Sequence, residues 1–167
     1  MDLIVHDQKT AEWRGQTLRC AVGRGGISVD KREGDGATPT GRFAFRRALY
    51  RPDRLIDAPV TGLPRAALSA EDGWCDDPTD TAYNQQIRLP YEARHERLWR
   101  EDGLYDLIVV LGHNDRPVIA GLGSGIFLHV AAPGFTPTEG CIALGLDDLL
   151  GVLRGAVPGD GIQISVP

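Results

Sequence analysis

The sequence predicts a mostly β chain with one short helix, and three observations carry that expectation. Residues 17–22, 42–49 and 162–166 alternate apolar and polar side chains at the strand period of two. Only Leu146, Leu149, Leu150 and Leu153 follow the helical i, i+3, i+4, i+7 spacing. Glycine (21) and proline (11) are abundant among the 167 residues, which favours turns over long helices.

Taken in chain order, residues 3–5 are expected as an edge or entry strand. The alternating run 17–22 ends at Gly23-Arg24-Gly25-Gly26, a turn cluster. Gly34-Asp35-Gly36 and Thr38-Pro39-Thr40-Gly41 punctuate the next stretch. In residues 42–49, Phe43 and Phe45 share one face and Arg42, Ala44 and Arg46 the other. Residues 51–104 are weakly periodic and rich in Pro, Asp and Arg. They are expected as a long inserted loop region with a short helix over residues 92–99. Their aromatic residues Trp74, Tyr83, Tyr91 and Trp99 either line a surface cleft or cover a sheet edge. Residues 107–111 form an apolar run suited to a buried strand, and residues 126–130 form another. The helix is expected over residues 146–154 with Gly155 as its stop, and residues 162–166 give a final half-buried strand.

Composition narrows the function classes. Hydrophobic residues at 42% and charged residues at 25% describe a globular chain, and the length suits one domain spanning residues 1–167. A net charge of −5 with no dense basic block argues against nucleic acid. Arg42, Arg46 and Arg47 come nearest to such a block and are expected on the wet face of a strand. No apolar run is long enough to span a membrane. The opening residues 1–7 are too short and too acidic for a signal peptide, so the expectation is a soluble chain with no visible export route.

The three cysteines are an odd number, so at least one is unpaired in a monomer. Cys20 alternates with Leu18 and Val22 and is expected as a small core residue. Cys75 lies in the polar stretch Trp74-Cys75-Asp76-Asp77 and carries no assignment.

Cys141 has a different neighbourhood. Ile126, Leu128 and Val130 share one strand face, so His129 points the other way, where a core has no use for an imidazole. A loop with two prolines and a glycine then returns the chain to Thr138-Glu139-Gly140-Cys141, twelve residues after His129. An adjacent imidazole favours the thiolate and makes the thiol a nucleophile near neutral pH. Gly140 permits close backbone approach, and the N–H groups of Glu139, Gly140 and Cys141 can converge on a developing oxyanion. Nucleophile, base and oxyanion donors make an acyl-transfer set. The bland alternative is a buried cysteine beside a core histidine.

The segment from His129 to Thr138-Glu139-Gly140-Cys141 resembles the YkuD-type L,D-transpeptidase motif, a strand histidine followed by Ser/Thr-His-Gly-Cys. Gly36-Ala37-Thr38-Pro39-Thr40-Gly41-Arg42-Phe43 resembles that family's upstream turn and strand. The likeness extends through Trp74-Cys75-Asp76-Asp77, Tyr83-Asn84, Leu111-Gly112-His113-Asn114 and Gly123-Ser124-Gly125, and covers about residues 18–166. It implies a YkuD-like β-sandwich of mixed strands, Cys141 as catalytic cysteine, His129 as catalytic histidine, Thr138 and Gly140 as motif residues, and no cofactor. It also implies peptidoglycan stem peptides as donor and acceptor, and therefore the periplasm or cell envelope; the cytoplasm is the alternative on the visible N-terminus. Tyr83 and Asn84 are candidate substrate contacts together with Thr138 and Glu139. His113 and Ser124 are weaker candidates.

The chain departs from that pattern in four places. Glu139 stands where the family has His, which disfavours a thiolate unless the carboxylate points to solvent or holds an incoming ammonium. Ala143 stands where Arg or Asn is usual, so a substrate anchor is missing. The twelve-residue gap is short. Val130 offers no hydroxyl to orient His129, so a backbone carbonyl must. Other classes remain in play: an L,D-carboxypeptidase or a D-amino-acid exchange enzyme using the same site, an inactive cell-wall binding domain, and a zinc site drawn from Cys141, His129, His113 and His95, whose spacing is poor for a metal.

Overall fold

The structure, a computed structural model, describes residues 1–166. Its strands are β1 (Asp2–Val5), β2 (Thr10–Trp13), β3 (Gln16–Ala21), β4 (Ile27–Ser28), β5 (Thr38–Pro39), β6 (Gly41–Tyr50), β7 (Arg65–Ala67), β8 (Asp72–Cys75), β9 (Gln86–Arg88), β10 (His95–Arg97), β11 (Leu107–Leu111), β12 (Phe127–Val130), β13 (Ile142–Leu144) and β14 (Gly161–Ile164). One helix, α1 (Leu146–Gly155), follows β13. The chain is sheet-dominated, as its periodicity predicts.

The main sheet runs β11-β12-β13-β3-β2-β1-β14-β6-β7, and β11 also pairs with β6. The two layers of the expected sandwich are therefore continuous. β6 pairs with β14 through residues 41–44 and with β11 through residues 45–50. β3 pairs with β2 through residues 16–19 and with β13 through residues 20–21. Each long strand passes from one layer to the other halfway along.

Inward-facing side chains from every strand of this sheet but β7, among them Leu3, Leu18, Cys20, Phe45, Val109, Leu128, Ile142 and Ile164, fill a first core. The helix closes it with Leu149, Val152 and Leu153. Burying each of these three contributes roughly 1.5–3 kcal/mol. Asp147 and Asp148 in the first turn and Arg154 in the last suit the helix dipole. Gly155 is the last helical residue, not the stop, and Ala156 caps the end.

Several expectations need correction. Of the two readings of the first strand, it is the entry and not an edge: β1 lies between β2 and β14, parallel to the latter. Residues 51–104 are not loop alone. They carry β7, and β8, β9 and β10 form a small sheet of order β10-β8-β9. No helix exists over residues 92–99, because residues 95–97 pair with β8 and the ladder overrides local helical spacing. This insert packs on the outer face of β11 and β12 and builds a second core from Leu49, Leu68, Trp74, Leu98, Tyr105, Ile108, Val110 and Phe127. Nor do the three arginines form a free wet face. Arg42 pairs with Asp2, Arg46 with Asp115, and Arg47 lies half-buried against Gln86 and the ring of Trp74.

Candidate active site

β12 and β13 run parallel, with Leu128 opposite Ile142 and His129 opposite Ala143. Leu128 and Ile142 face the first core, so Phe127 and His129 face the second. Continuing the register by one residue sets Cys141 beside Phe127, on that same second face. The thiol accepts from the Phe127 N–H at 3.3 Å and donates to the Gly125 carbonyl at 3.2 Å. His129 stands one pleat further along. Its Nδ1 lies 2.8 Å from the Val130 carbonyl oxygen, which only accepts, so Nδ1 carries the proton and Nε2 holds the free lone pair. The orienting carbonyl that the sequence leaves open is thus that of the next residue. No hydrogen bond joins the two side chains among the described residues, but both border one cleft of about 430 Å³.

Two threonines set the turn that carries Cys141. Thr138 bridges to Gly23, with its N–H on the Val22 carbonyl and its own carbonyl accepting from the Arg24 N–H. The Thr138 hydroxyl donates to the Cys141 carbonyl (2.6 Å) and accepts from the Gly140 N–H (3.1 Å). Of the three expected oxyanion donors, Gly140 is therefore engaged within the turn, which leaves Glu139 and Cys141. From the far side, the buried Thr38 hydroxyl accepts from the Gly23 N–H (2.8 Å) and donates to the Gly140 carbonyl (2.9 Å). Gly140 has φ +134, and a Cβ there would meet the Ala37 carbonyl oxygen at 2.9 Å, so only glycine fits. Sequence reasoning assigned Thr38 no role, although Thr38-Pro39-Thr40-Gly41 was a visible turn.

The insert supplies the opposite wall. Trp74 and Tyr105 pack edge-on against Phe127, with ring centroids 5.0 and 5.9 Å away, and Tyr105 lies 5.3 Å from the His129 ring. The Tyr105 hydroxyl donates to Glu96, which with Arg100 borders the cleft. Burial pushes the Cys141 thiol up to about 12, and the Glu96 carboxylate adds to the rise. Burial pulls His129 down to about 4. Both effects come from removing charge from water. Both directions favour the thiol and the neutral imidazole over an ion pair at rest. Burial also raises the Glu96 carboxyl above its ordinary range. Glu96 lies in the stretch expected as helical, where the strand period that exposes it is not apparent. Alternation along β10 would have set it opposite His95 and Arg97.

The other expected residues fall in different places. Glu139 borders the cleft, but its carboxylate is 80% exposed and is held by the Arg24 guanidinium at 2.8 and 3.0 Å. Tyr83 and Asn84 do not border the cleft. Tyr83 donates to Glu33 and accepts from the Gly123 N–H. Asn84 accepts from the Trp74 indole (3.1 Å) and the Gly125 N–H (2.9 Å), and donates to the carbonyls of His113 and Asn114. Both are buried and hold residues 123–125, the segment whose Gly125 carbonyl accepts the thiol. Ser124 borders the cleft and donates to Glu33. His113 is turned to the Leu122 carbonyl and His95 to that of Ala93, and neither converges on Cys141. Among the described residues no group of three His, Cys, Asp or Glu could hold a metal. Among the described residues no helix is long and apolar enough to cross a membrane.

A nucleophile-type thiol, an imidazole with a free nitrogen and open backbone N–H groups at one cleft are the parts of acyl-transfer chemistry. The chain belongs to the YkuD family, the L,D-transpeptidase catalytic domain, whose family model matches residues 2–164. That family is of the acyltransferase type. No curated protein and no solved structure is a match for the chain.

Proposed function

We propose that the protein is a cysteine L,D-transpeptidase that cross-links peptidoglycan stem peptides through a thioester on Cys141. The observation that carries this is the common face of Cys141 and His129 at one cleft, with the His129 Nε2 lone pair open to it. Cys141 attacks the carbonyl of the donor's diamino-acid residue while its proton passes to His129 Nε2. The N–H groups of Glu139 and Cys141 meet the oxyanion, each worth on the order of 3 kcal/mol. His129 then protonates the leaving D-residue amine, and the thioester remains. An acceptor amine gives a proton to His129, attacks the thioester and releases the thiol.

Because burial favours the neutral form of both groups, the proton moves as the carbon–sulfur bond forms, which is general-base activation. The ion pair with Arg24 supports keeping the Glu139 charge off the thiol, which weakens the case for an inactive domain. Glu139 also stands at the cleft rim, where an acceptor ammonium can exchange with Arg24. The substrate assigns the protein to the periplasm or cell envelope.

The test is incubation of the protein with a tetrapeptide stem donor and an acceptor stem. Intact-mass detection of a Cys141 thioester and a cross-linked product is expected. A thioester that yields only tripeptide, or only an exchanged terminal residue, assigns carboxypeptidase or exchange activity instead. Absence of any thioester sinks the reading.

A further inference from the structure

A second groove, of about 740 Å³, shares Trp74 and Ile126 with the cleft, but neither Cys141 nor His129 borders it. Its charge runs against that of the chain. The protein carries a net charge of −5, yet the groove is lined by three arginines and a single carboxylate, Asp115. Arg46 engages both oxygens of Asp115, at 2.7 and 3.1 Å. Arg47 and Arg116 therefore face the groove with no carboxylate partner among the described residues. Arg116 is exposed, whereas Arg47 is half-buried. The Arg47 Nη2 donates to Gln86 Oε1 at 2.9 Å, and its guanidinium carbon lies 5.9 Å from the Trp74 ring centroid. Gln86 is held in turn, its Nε2 donating to Asp72 at 3.0 Å. The guanidinium is thus fixed in place, while its Nε and Nη1 have no acceptor among the described residues. Neither nitrogen is sealed, because every fully buried side-chain nitrogen and oxygen there has a partner. Burial lowers the Arg47 pKa with no carboxylate opposing it, but arginine keeps its charge in proteins. A cation withdrawn from water without a counter-ion is rare, since buried arginines are paired.

We propose that this groove binds a carboxylate carried on an apolar body, with Arg47 as its counter-ion. One half-buried cation matches one negative charge. The open N–H groups of a fixed guanidinium suit a carboxylate, which they hold by charge-assisted hydrogen bonds. The rest of the lining favours methylene groups over a second charge, because Pro64, Val110, Val118 and Ile126 stand around Arg47. Arg116, exposed beside them, adds attraction at longer range. The ligand is separate from the group that reacts at Cys141, since the groove does not reach the thiol. The inference therefore stands independently of the transpeptidase reading.

Four probes test this: acetate, butyrate, butyramide and inorganic phosphate. Each is titrated into the full chain at constant ionic strength. Binding is followed by the NMR signals of the Gln86 carboxamide and the Val118 methyls, which report the groove, and of the His129 ring, which reports the cleft. Butyrate should shift the groove signals to saturation in the millimolar range, as suits so small a ligand. It should bind roughly threefold or more tightly than acetate, because its added methylene groups are buried. Butyramide, without the charge, should bind about tenfold or more weakly than butyrate, and Arg47→Met should weaken butyrate by a similar factor. Arg47→Lys keeps the charge and the fold but loses the fork, and should fall between parent and Arg47→Met. The Trp74 indole N–H, held by Asn84, shows whether Arg47→Met keeps the parent fold. If it does not, the lysine variant decides, and parent affinity in that variant overturns the proposal. Absence of saturation, butyramide binding as well as butyrate, or shifts confined to His129 overturn the site. Phosphate binding more tightly than butyrate overturns the carboxylate assignment.

Discussion

Leu128 and His129 are neighbours on β12, yet they face different surroundings. Leu128 enters a core of aliphatic and aromatic side chains sealed by α1. His129 enters a cleft with a thiol, a phenol, a carboxyl and a guanidinium. The first side is packed for stability alone. The second is half core and half site, because Trp74, Phe127 and Tyr105 seal its floor while Glu96 and Arg100 stay open at its mouth. Removing a side chain on one face should cost folding, and on the other chemistry.

The largest effect expected is from Cys141→Ala, which should abolish thioester formation and cross-linking, a loss on the order of 10⁶ as for other covalent nucleophiles. Its melting temperature should stay near the parent's, and residual turnover in the purified variant would move the nucleophile elsewhere. His129→Ala should slow acylation by about 10²–10⁴. The parent's acid limb should lie below the ordinary histidine range, because burial holds His129 at about 4 and activity falls only as the imidazole protonates. The same shift bears on stability. The unfolded imidazole takes a proton below about 6.5, so stability falls as pH drops from there towards about 4. At the alkaline end, Cys141 ionises more readily unfolded, so stability is lost as pH rises from about 9 towards about 12. Denaturant titration of the parent and His129→Ala across pH 4–7 checks the acid arm, which should shrink in the variant.

On the other face, Leu149→Ala should cost about 2–5 kcal/mol of stability by opening a cavity under α1. Its rate per folded molecule should be unchanged at low temperature, and a large drop in kcat would show that the faces are coupled. Thr38→Val sits between the two. It leaves the Gly23 N–H and the Gly140 carbonyl unsatisfied, a cost of about 1–3 kcal/mol, and it should slow acylation more than it raises KM. Glu139→Gln is the smallest case. Its exposed pair with Arg24 is worth about 0.2–1 kcal/mol, thioester formation should hold, and only the acceptor step should slow. If both steps keep the parent rate, Glu139 is surface only.

The same contrast explains how much was legible in the sequence. The position of His129 outside the first core was visible because strand alternation over residues 126–130 turns it away from its apolar neighbours, and Gly140 marks a close approach. The helix was visible because four leucines repeat at its period. The interior position of β1 was not, since three apolar residues carry no trace of a partner, here β14, some 160 residues away. The small sheet of the insert was hidden because β9 and β10 are only three residues long, below the length at which alternation is distinctive. Thr38 carries no such signal because it acts across the fold, on a carbonyl 102 residues distant.

The placement of Glu96, Arg100 and Tyr105 on the insert, with Cys141 and His129 on the sheet, has an engineering consequence. On the proposed function, the reacting pair sits on the sheet and the opposite cleft wall on the insert, and the two meet along an apolar seam of Trp74, Leu98, Tyr105 and Phe127. A replacement for residues 69–105 that keeps those seam side chains can change what enters without disturbing the register of Leu128 with Ile142. New specificities are therefore better sought by shuffling that segment than by altering the strands beneath it.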